Sequence, residues 1–329
     1  MPTHPATITA AAERLRQGGL VAFPTETVYG LGADALNPLA IEGVFRIKGR
    51  PANNPLIVHV SDESMARGLA STWPDAAAAL AERFWPGPLS IVLPRLALVP
   101  SNVTAGGPNV ALRCPDHPTA IALIETLGRP IVGPSANPSG GVSPTTAQHV
   151  RESFSPDDVL VLDGGPCRAG IESTVLSLAG PTPRLLRQGV ITPDMIRSVI
   201  GQDVGTSAGT TESGGAASPM ASPGMLRSHY APHAPAVLFA AAEWPVILQR
   251  SDAVVVITHV QSRDARPPNR VIRMPNEATA YAASLYAAMR DADAVRPGLI
   301  AIERPDAKGG VWDAIRDRLA RATAIDTEE

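Results

Sequence analysis

The chain has 329 residues, of which 44% are hydrophobic and 18% are charged, and its formal net charge is −3. Its length exceeds the usual size of a single hydrophobic core, so we expect two globular domains. The slightly acidic charge argues against a general nucleic-acid coat protein, and Cys114 and Cys167 lie too far apart in the sequence to indicate a disulfide framework or a zinc site.

The first two hundred residues alternate between strand-like and helix-like segments. Residues 1–19 lack the apolar segment of a secretion signal, and no apolar run in the chain is long enough to span a bilayer, so we expect a cytoplasmic protein. Short apolar runs predict strands at 20–23, 56–60, 89–93, 109–113, 130–133, 159–162 and 174–178. Helical patterns are present at 7–17, 38–47, 62–71, 75–84, 117–127, 144–151 and 192–200. Some connections between strands are too short for a crossover, which favours an α/β domain with a mixed sheet.

The composition changes at residues 201–228, where small and turn-forming residues dominate and predict a linker rather than part of a core. Beyond it, strands are predicted at 236–240, 253–260, 270–274 and 298–303, and helices at 276–290 and 311–321. This pattern indicates a small second α/β unit with a parallel sheet. We therefore divide the chain into a larger domain (1–205), a flexible linker or lid (206–235) and a small C-terminal α/β domain (236–329).

Two short motifs suggest known enzyme classes but fail in detail. Gly30-x-Gly32-x-x-Ala35 matches the loose dinucleotide-binding fingerprint, yet six residues separate it from the preceding strand and no acidic residue follows at the required distance. The segment 133–137 resembles a nucleophile elbow, but Asn137 replaces its final glycine. The sequence contains no Walker A loop, which excludes an ordinary P-loop nucleotidase.

Seven polar clusters, each bounded by Gly or Pro, flank the predicted strands. They are PTETVYGLG (24–32), KGRPANNPLIVH (48–59), FWPGPLS (84–90), NVALRCP (109–115), GPSANPSGG (133–141), GIESTV (170–175) and RQG (187–189). Any one of them alone is typical of a capped turn. Together they indicate a ligand site at strand ends, where hydroxyl groups and cations beside glycine-rich backbone can hold phosphate groups. Lys48 is one of only two lysines in the chain, which favours a point charge directed at a phosphate.

In this order, the motifs resemble those of the threonylcarbamoyl-AMP synthase (YrdC-type) family, and SPGMLRSHYAP (222–232) resembles the joining segment of its longer, two-domain form. The resemblance implies a catalytic α/β domain with a YrdC-like mixed twisted sheet, followed by a small Rossmann-like α/β domain. It also implies a nucleotidyltransferase that converts L-threonine, bicarbonate and ATP into threonylcarbamoyl-adenylate and pyrophosphate, with Mg²⁺ carried on the triphosphate. The product would supply the machinery that forms threonylcarbamoyladenosine in tRNA.

By motif position, the resemblance assigns two sets of residues. The threonine-binding set is Thr27, His59, Arg113 and Ser173. The ATP-binding set is Lys48, Arg50, Asn54, Asn109, Ser135, Asn137, Ser143, Arg187, His229 and Tyr230. Lys48 and Arg50 are the expected catalytic residues at the triphosphate, and the last two residues of the ATP set are expected to close over the nucleotide. A histidine in an apolar strand such as 56–60 is usually a core residue, however, and Asn109 stands where a hydroxyl residue is expected.

Two other functions were weighed against this one. For a module that binds double-stranded RNA in a basic groove, residues 1–205 contain too balanced a charge, 15 Lys and Arg against 17 Asp and Glu, and aromatic residues make up only 4% of the chain. A carbamoyltransferase or carbamoyl-phosphate hydrolase on a related scaffold would need an additional metal cluster, and the seven histidines show no such spacing. The expected partners are therefore threonine, ATP, bicarbonate and the downstream tRNA-modifying machinery, with no membrane and no predicted direct tRNA binding.

Overall fold

The computed structural model describes residues 4–206, 220, 229–250, 253–260 and 269–324. The first range forms a ten-stranded mixed sheet made of β1 (Leu20–Phe23), β2 (Gly30–Asp34), β3 (Ile57–His59), β4 (Leu89–Pro94), β5 (Asn109–Arg113), β6 (Ile131–Val132), β7 (Val159–Val161), β8 (Thr174–Ser177), β9 (Arg184–Arg187) and β10 (Gly205–Thr206). Its helices are α1 (Pro5–Arg16), α2 (Pro38–Lys48), α3 (Glu63–Arg67), α4 (Asp75–Phe84), α5 (Pro118–Leu127), α6 (Ala147–Arg151) and α7 (Pro193–Ile200). The predicted mixed α/β architecture is confirmed.

β1 shows why strands of this sheet read as continuous apolar runs. All four of its residues are buried. Leu20 and Ala22 belong to the core on one face of the sheet, whereas Val21 and Phe23 pack on the other face with apolar side chains of α1 and α5. Because side chains alternate between the two faces of a strand, β1 must be apolar at every position. β1 pairs with β2 in antiparallel and with β7 in parallel orientation.

One face of the larger sheet carries the side chains of the candidate site. A small apolar cluster on this face is formed by residues of four strands: Ile57, Val92, Ala111 and Val175. Two positions away from each of them stands a polar residue: His59, Ser90, Arg113 and Ser173. The alternation of side chains along a strand places these four polar residues on the same face as the apolar cluster.

The described residues of 229–250, 253–260 and 269–324 form a second unit around a four-stranded sheet. Its strands are β11 (Ala236–Phe239), β12 (Val254–Thr258), β13 (Arg270–Arg273) and β14 (Leu299–Glu303), in the order β11-β14-β12-β13. All three pairings are parallel, as predicted. Its helices are α8 (Trp244–Leu248), α9 (Ala278–Ala294) and α10 (Val311–Ala322). The core of this unit also contains Val28, Val142 and Ile171 of the first unit, so the two units share buried apolar contacts.

The structure differs from the sequence-based prediction in several elements. The sequence patterns miss β2, β9, β10 and α8, and the helix predicted at 62–71 is limited to α3, since Gly68 ends it. β2 has the sequence GLGAD, whose two glycines are typical of a turn. In the structure they leave room for Phe23, because a Cβ atom on Gly30 would come within 2.7 Å of that ring.

Two remaining expectations concern the linker and membranes. Of the linker or lid predicted at 206–235, residues 207–219 and 221–228 lie outside the described residues. None of the described helices combines the length and the apolar character that a bilayer crossing requires.

Candidate active site

Seven of the fourteen predicted site residues line one pocket with about 480 Å³ of empty space, part of it open to solvent. Its walls come from the loop after β1, the turn after α2, β3, the end of β5, the segment after β6, and the ends of β8 and β9. The segment at 229–230 completes it. The lining residues are Thr27, Val28, Arg50, Leu56, Ile57, Arg113, Gly133, Pro134, Ser135, Glu172, Arg187, His229 and Tyr230.

Two cations flank Gly49 at the end of α2. Asn37 caps the start of this helix, and Gly49, with a φ of 59°, ends it in the left-handed region. Lys48 is therefore the last helical residue, and Arg50 begins the turn that enters the pocket. Lys48 is 3% exposed, and its Nζ donates to the backbone oxygens of Ser135 and Asn137, each at 2.5 Å. Burial lowers the pKa of Lys48 well below its usual range, and the charge of Arg50 lowers it further.

Arg50 is held by the turn that follows it. Its Nε donates to the backbone oxygen of Asn54 at 3.0 Å, and its Nη2 donates to Asn54 Oδ1 at 2.6 Å and to the oxygen of Pro55 at 2.7 Å. Burial lowers the pKa of Arg50 to about 9, and the charge of Arg187 acts in the same direction. Among the described residues, neither Lys48 nor Arg50 forms an ion pair with a carboxylate. An anionic ligand would stabilise both charges.

Arg113, at the end of β5, is fixed from several sides. Its Nη2 lies 2.7 Å from Glu26 Oε2 and donates to Thr27 Oγ1 at 2.9 Å, and its Nε donates to the oxygen of Gly87 at 3.3 Å. Arg113 and Glu26 are both nearly inaccessible to solvent, with side chains 4% and 5% exposed. The planar guanidinium is thus pre-positioned beside Thr27 at the pocket wall, as a carboxylate-binding arginine requires.

His59 lies on β3 with its ring edge against Phe23, at a centroid distance of 5.5 Å. Its Nδ1 has no hydrogen-bond partner among the described residues. Burial, followed by the charge of Arg113, lowers the pKa of His59 well below its usual range, so the imidazole is neutral. The contact with Phe23 accounts for a role of His59 in the core. Its unpaired Nδ1, beside Arg113, leaves His59 able to form a hydrogen bond to a ligand as well.

Gly133 makes this arrangement possible. A Cβ atom at this position would lie 2.7 Å from two atoms of the His59 ring and 2.8 Å from Phe23. We expect Gly133→Ala to displace His59, to weaken threonine binding and to lower the free energy of unfolding by about 1–3 kcal/mol. Calorimetry with threonine and thermal unfolding would measure both effects. Gly180→Ala is the matched control, since a Cβ atom there meets nothing within 4 Å; equal effects of the two substitutions would contradict this role of Gly133.

Ser173 and Arg187 meet at the ends of β8 and β9. Ser173 Oγ lies 2.8 Å from Ser90 Oγ, and Arg187 donates to it from Nη2 at 3.0 Å and to the backbone oxygen of Ser173 from Nε at 3.0 Å. Burial lowers the pKa of Arg187. Two of the four polar residues of the sheet face are thus tied to a third cation of the pocket.

Glu172 is a site residue that the sequence analysis missed, although it directly precedes Ser173 in GIESTV. Ser143 Oγ donates to its Oε1 at 2.7 Å, while Tyr286 OH and Arg318 Nε each donate to its Oε2 at 2.9 Å. Burial alone would raise the pKa of Glu172, but the charges of Arg318 and Arg187 and the hydrogen bond from Ser143 hold it at about 2. The carboxylate is therefore ionised and fully engaged.

This shift predicts an acid-dependent loss of stability. A depressed carboxyl pKa stabilises the folded state above the ordinary value of 4.5, and this contribution is lost as the pH falls towards 2. It amounts to something on the order of 3 kcal/mol. Denaturant unfolding of Glu172→Gln should show a shallower loss of stability between pH 4.5 and 2 than the wild-type protein. Parallel profiles for the two proteins would exclude a strongly depressed pKa.

His229 and Tyr230 cover the pocket between the two units. Tyr230 is 1% exposed, has a φ of 65°, and stacks on Tyr286 at a centroid distance of 5.6 Å. His229 packs edge-on against Tyr230 at 4.0 Å. Burial lowers the pKa of His229 to about 3; the charge of Glu172 acts against this shift, and the charges of Arg50, Lys48 and Arg318 add to it. Both side chains therefore cover the cationic wall as neutral groups.

The other predicted residues lie behind the lining or apart from it. Asn54 holds Arg50, the Asn137 backbone oxygen accepts from Lys48, and Ser143 holds Glu172. Asn109 begins β5 on the same face as Arg113 but about 13 Å from it along the strand, and it does not line the pocket.

Comparisons with known proteins identify the family of the chain. The Sua5/YciO/YrdC family model, described as telomere recombination, matches residues 13–189, and the model for the C-terminal domain of threonylcarbamoyl-AMP synthase matches residues 191–324. The chain is 42% identical to threonylcarbamoyl-AMP synthase of Bacillus subtilis over 98% of this chain and 94% of that one. It is 46% identical to the Pyrococcus abyssi protein of that name over 70% and 67% of the two chains.

Solved structures extend the comparison to the whole fold. The crystal structure of P. abyssi Sua5 complexed with L-threonine matches with a TM-score of 0.89 and 39% identity, covering 97% of this chain and 95% of that one. A P. abyssi Sua5 variant matches with a TM-score of 0.88 and 37% identity over 97% and 93%. The chain therefore belongs to the Sua5/YciO/YrdC family of threonylcarbamoyl-AMP synthases, in its two-domain form.

Proposed function

We propose that the chain is an L-threonylcarbamoyladenylate synthase, which converts L-threonine, bicarbonate and ATP into threonylcarbamoyl-AMP and pyrophosphate for tRNA modification. The observation that carries this proposal is the convergence of Arg50, Arg113 and Arg187 on one pocket, with Lys48 behind it. Three guanidinium groups match a substrate pair that brings a triphosphate and an amino-acid carboxylate. We place the reaction in the cytoplasm, because ATP and tRNA are available there.

The threonine would bind at the end of the pocket formed by β3 and β5. Arg113, already oriented by Glu26, would take the carboxylate, and Thr27 would contribute its hydroxyl group. His59 and Ser173 lie on the same sheet face and would complete the contacts to the polar groups of the amino acid. This set contains hydrogen-bond donors for a carboxylate and for a side-chain hydroxyl, which a pocket selective for threonine requires.

The nucleotide would bind between α2, the loop 133–143 and the end of β9. Arg50, Ser135 and Arg187 reach the pocket, whereas Lys48, Asn54, Asn137 and Ser143 support them from behind, and Asn109 stays a predicted contact without support from the pocket geometry. Such an arrangement promotes attack of the threonine carbamate on the α-phosphorus by positioning and charge neutralisation, with pyrophosphate leaving. His229 and Tyr230 would exclude water from the short-lived carbamate.

Magnesium would enter on the triphosphate. Glu172 is the carboxylate of the pocket lining, and Ser143, Tyr286 and Arg318 occupy its oxygens. Among the described residues, no group of three or more His, Cys, Asp or Glu side chains could hold a metal ion. With nucleotides, Mg²⁺ prefers phosphate oxygens and water as ligands. Bound to the triphosphate in this way, Mg²⁺ would neutralise phosphate charge in the pocket.

The burial of the pocket cations argues against the RNA-binding alternative. Lys48, Arg113 and Arg187 are 3%, 4% and 8% exposed, so these cations point into the protein and cannot reach the backbone of a duplex. The cationic residues of the pocket are suited to a small polyanion.

Pyrophosphate release tests the proposed function directly. Purified protein with ATP and magnesium should release pyrophosphate only when L-threonine and bicarbonate are both present, and the product should contain threonine, carbon from bicarbonate and AMP. Release that ignores threonine would contradict the assignment. Tight binding of duplex RNA without turnover would favour the RNA-binding alternative instead.

A further inference from the structure

Arg318 of α10 joins the C-terminal unit to the pocket. It is 1% exposed, and its Nε donates to Glu172 Oε2 at 2.9 Å while its Nη2 donates to the backbone oxygen of Gln188 at 2.8 Å. The third nitrogen, Nη1, donates to Asp317 at 2.6 Å. Two of the three acceptors thus belong to the N-terminal unit, one of them a pocket-lining carboxylate and the other the residue directly after Arg187.

Tyr286 of α9 strengthens the same contact. Its hydroxyl group donates to the oxygen of Glu172 that also accepts from Arg318. The ring of Tyr286 stacks on Tyr230, and the Arg318 guanidinium lies 5.3 Å from the Tyr230 ring centroid. Side chains of the C-terminal unit therefore contact both Glu172 and the residue that covers the pocket.

The charge of Glu172 makes this contact relevant to nucleotide binding. A carboxylate in the wall of a pocket for a triphosphate repels the ligand and attracts the cations that the ligand needs. Among the neighbouring cations, Arg318 lowers the pKa of Glu172 most, and Arg187 of the N-terminal unit is second. If Arg318 were neutral, Arg187 would become the main counter-ion of Glu172, and less of its positive charge would act on the phosphates.

We propose that Arg318 is a positioning residue of the nucleotide site: it pairs with Glu172 from the C-terminal unit, so that Glu172 can hold Ser143 and the charge of Arg187 remains available to the phosphates. This inference rests on the proposed function, since it concerns the ATP that the site is proposed to bind. It assigns the C-terminal unit a direct part in that site, as the source of a counter-ion.

Charge removal separates this role from a purely architectural one. In the full-length protein, Arg318→Met should raise the Kd for ATP about tenfold or more, whereas Glu172→Gln/Arg318→Met, which lacks both charges, should bind ATP about threefold or more tightly than Arg318→Met. Arg318→Lys keeps the charge and should lie closer to wild type than to Arg318→Met. Arg316→Met is the matched control on α10, because Arg316 donates to Pro305 within the C-terminal unit. Calorimetry with ATP gives the affinities, and thermal unfolding reports the fold.

The double variant decides the outcome even if Arg318→Met fails to fold. A double variant that is unfolded, or that binds ATP as weakly as Arg318→Met, would overturn the proposal and leave the contact a purely architectural one. Unchanged ATP affinity in Arg318→Met would also overturn it, while leaving the proposed function intact. Wild-type protein that binds no ATP would contradict the proposed function, and this inference with it.

Discussion

Replacing Arg50 by alanine is expected to weaken ATP binding by about 10- to 150-fold, which corresponds to a charge-assisted hydrogen bond of about 1.5–3 kcal/mol. Arg50 lies in the pocket wall beside Lys48 and Arg187, and its bonds to Asn54 and Pro55 aim it there. Synthesis of the adenylate should fall at least in proportion, whereas threonine affinity should stay within about twofold, because the threonine contacts are proposed at Arg113.

Calorimetry with ATP and with threonine measures both parts of this prediction. Arg67→Ala is the matched control, since Arg67 forms a half-exposed pair with Glu63 on α3 and does not line the pocket. Unchanged ATP affinity in Arg50→Ala, or an equal loss in the control, would remove Arg50 from the proposed site.

Arg113→Lys should lose most of its threonine affinity, about tenfold or more, although the charge is conserved. A lysine can replace the ion pair with Glu26, but its single ammonium group cannot also reach Thr27 and Gly87 and present a second nitrogen to a carboxylate. ATP affinity should change little. Threonine affinity thus distinguishes a bidentate guanidinium from a single ammonium group at this position, and ATP affinity serves as the internal reference.

The buried environment of Arg113 requires a control for folding. Breaking a buried ion pair destabilises a protein by about 3–5 kcal/mol, so the lysine variant, which keeps the charge, is preferred to alanine and its thermal unfolding must be compared with wild type. Arg129→Lys alters a pair with Asp34 in which the arginine is 58% exposed, and should leave threonine binding unchanged. Wild-type threonine affinity in Arg113→Lys would exclude a bidentate contact.

Sequence patterns predicted much of the larger sheet and one side of the pocket because both rest on local signals. The strand 109–113 is apolar, and a cation ends it; the glycine between Lys48 and Arg50 ends a helix there. The positions of such residues can be predicted because each lies at the end of a strand or a helix that the sequence itself defines. The site also uses the sheet face itself, where His59 and Arg113 stand side by side on paired strands. The residue patterns alone indicated strand ends, and His59 entered the predicted site only through the family resemblance.

The contribution of the C-terminal unit could not be predicted in this way. Arg318 and Glu172 are separated by 146 residues, and their pairing depends on how two units pack. In the sequence of α10, an arginine among alternating charged and apolar residues is typical of a solvent-exposed helix face. β2 was missed for a related reason, since its glycines are explained by Val21 and Phe23 of the neighbouring strand, which leave no room for a Cβ atom.

The parallel pairing of β1 with β7 has a consequence for synthesis of the chain on the ribosome. Leu20 pairs with Val159 and Ala22 with Val161, so one edge of β1 has no partner until residue 161 has been translated. At a translation rate of about 5–20 residues per second, this edge of the apolar strand stays unpaired for roughly 7–28 s. During that interval this edge can pair with other nascent chains, because β2 occupies the opposite edge of β1 and α1 packs on a face of the strand.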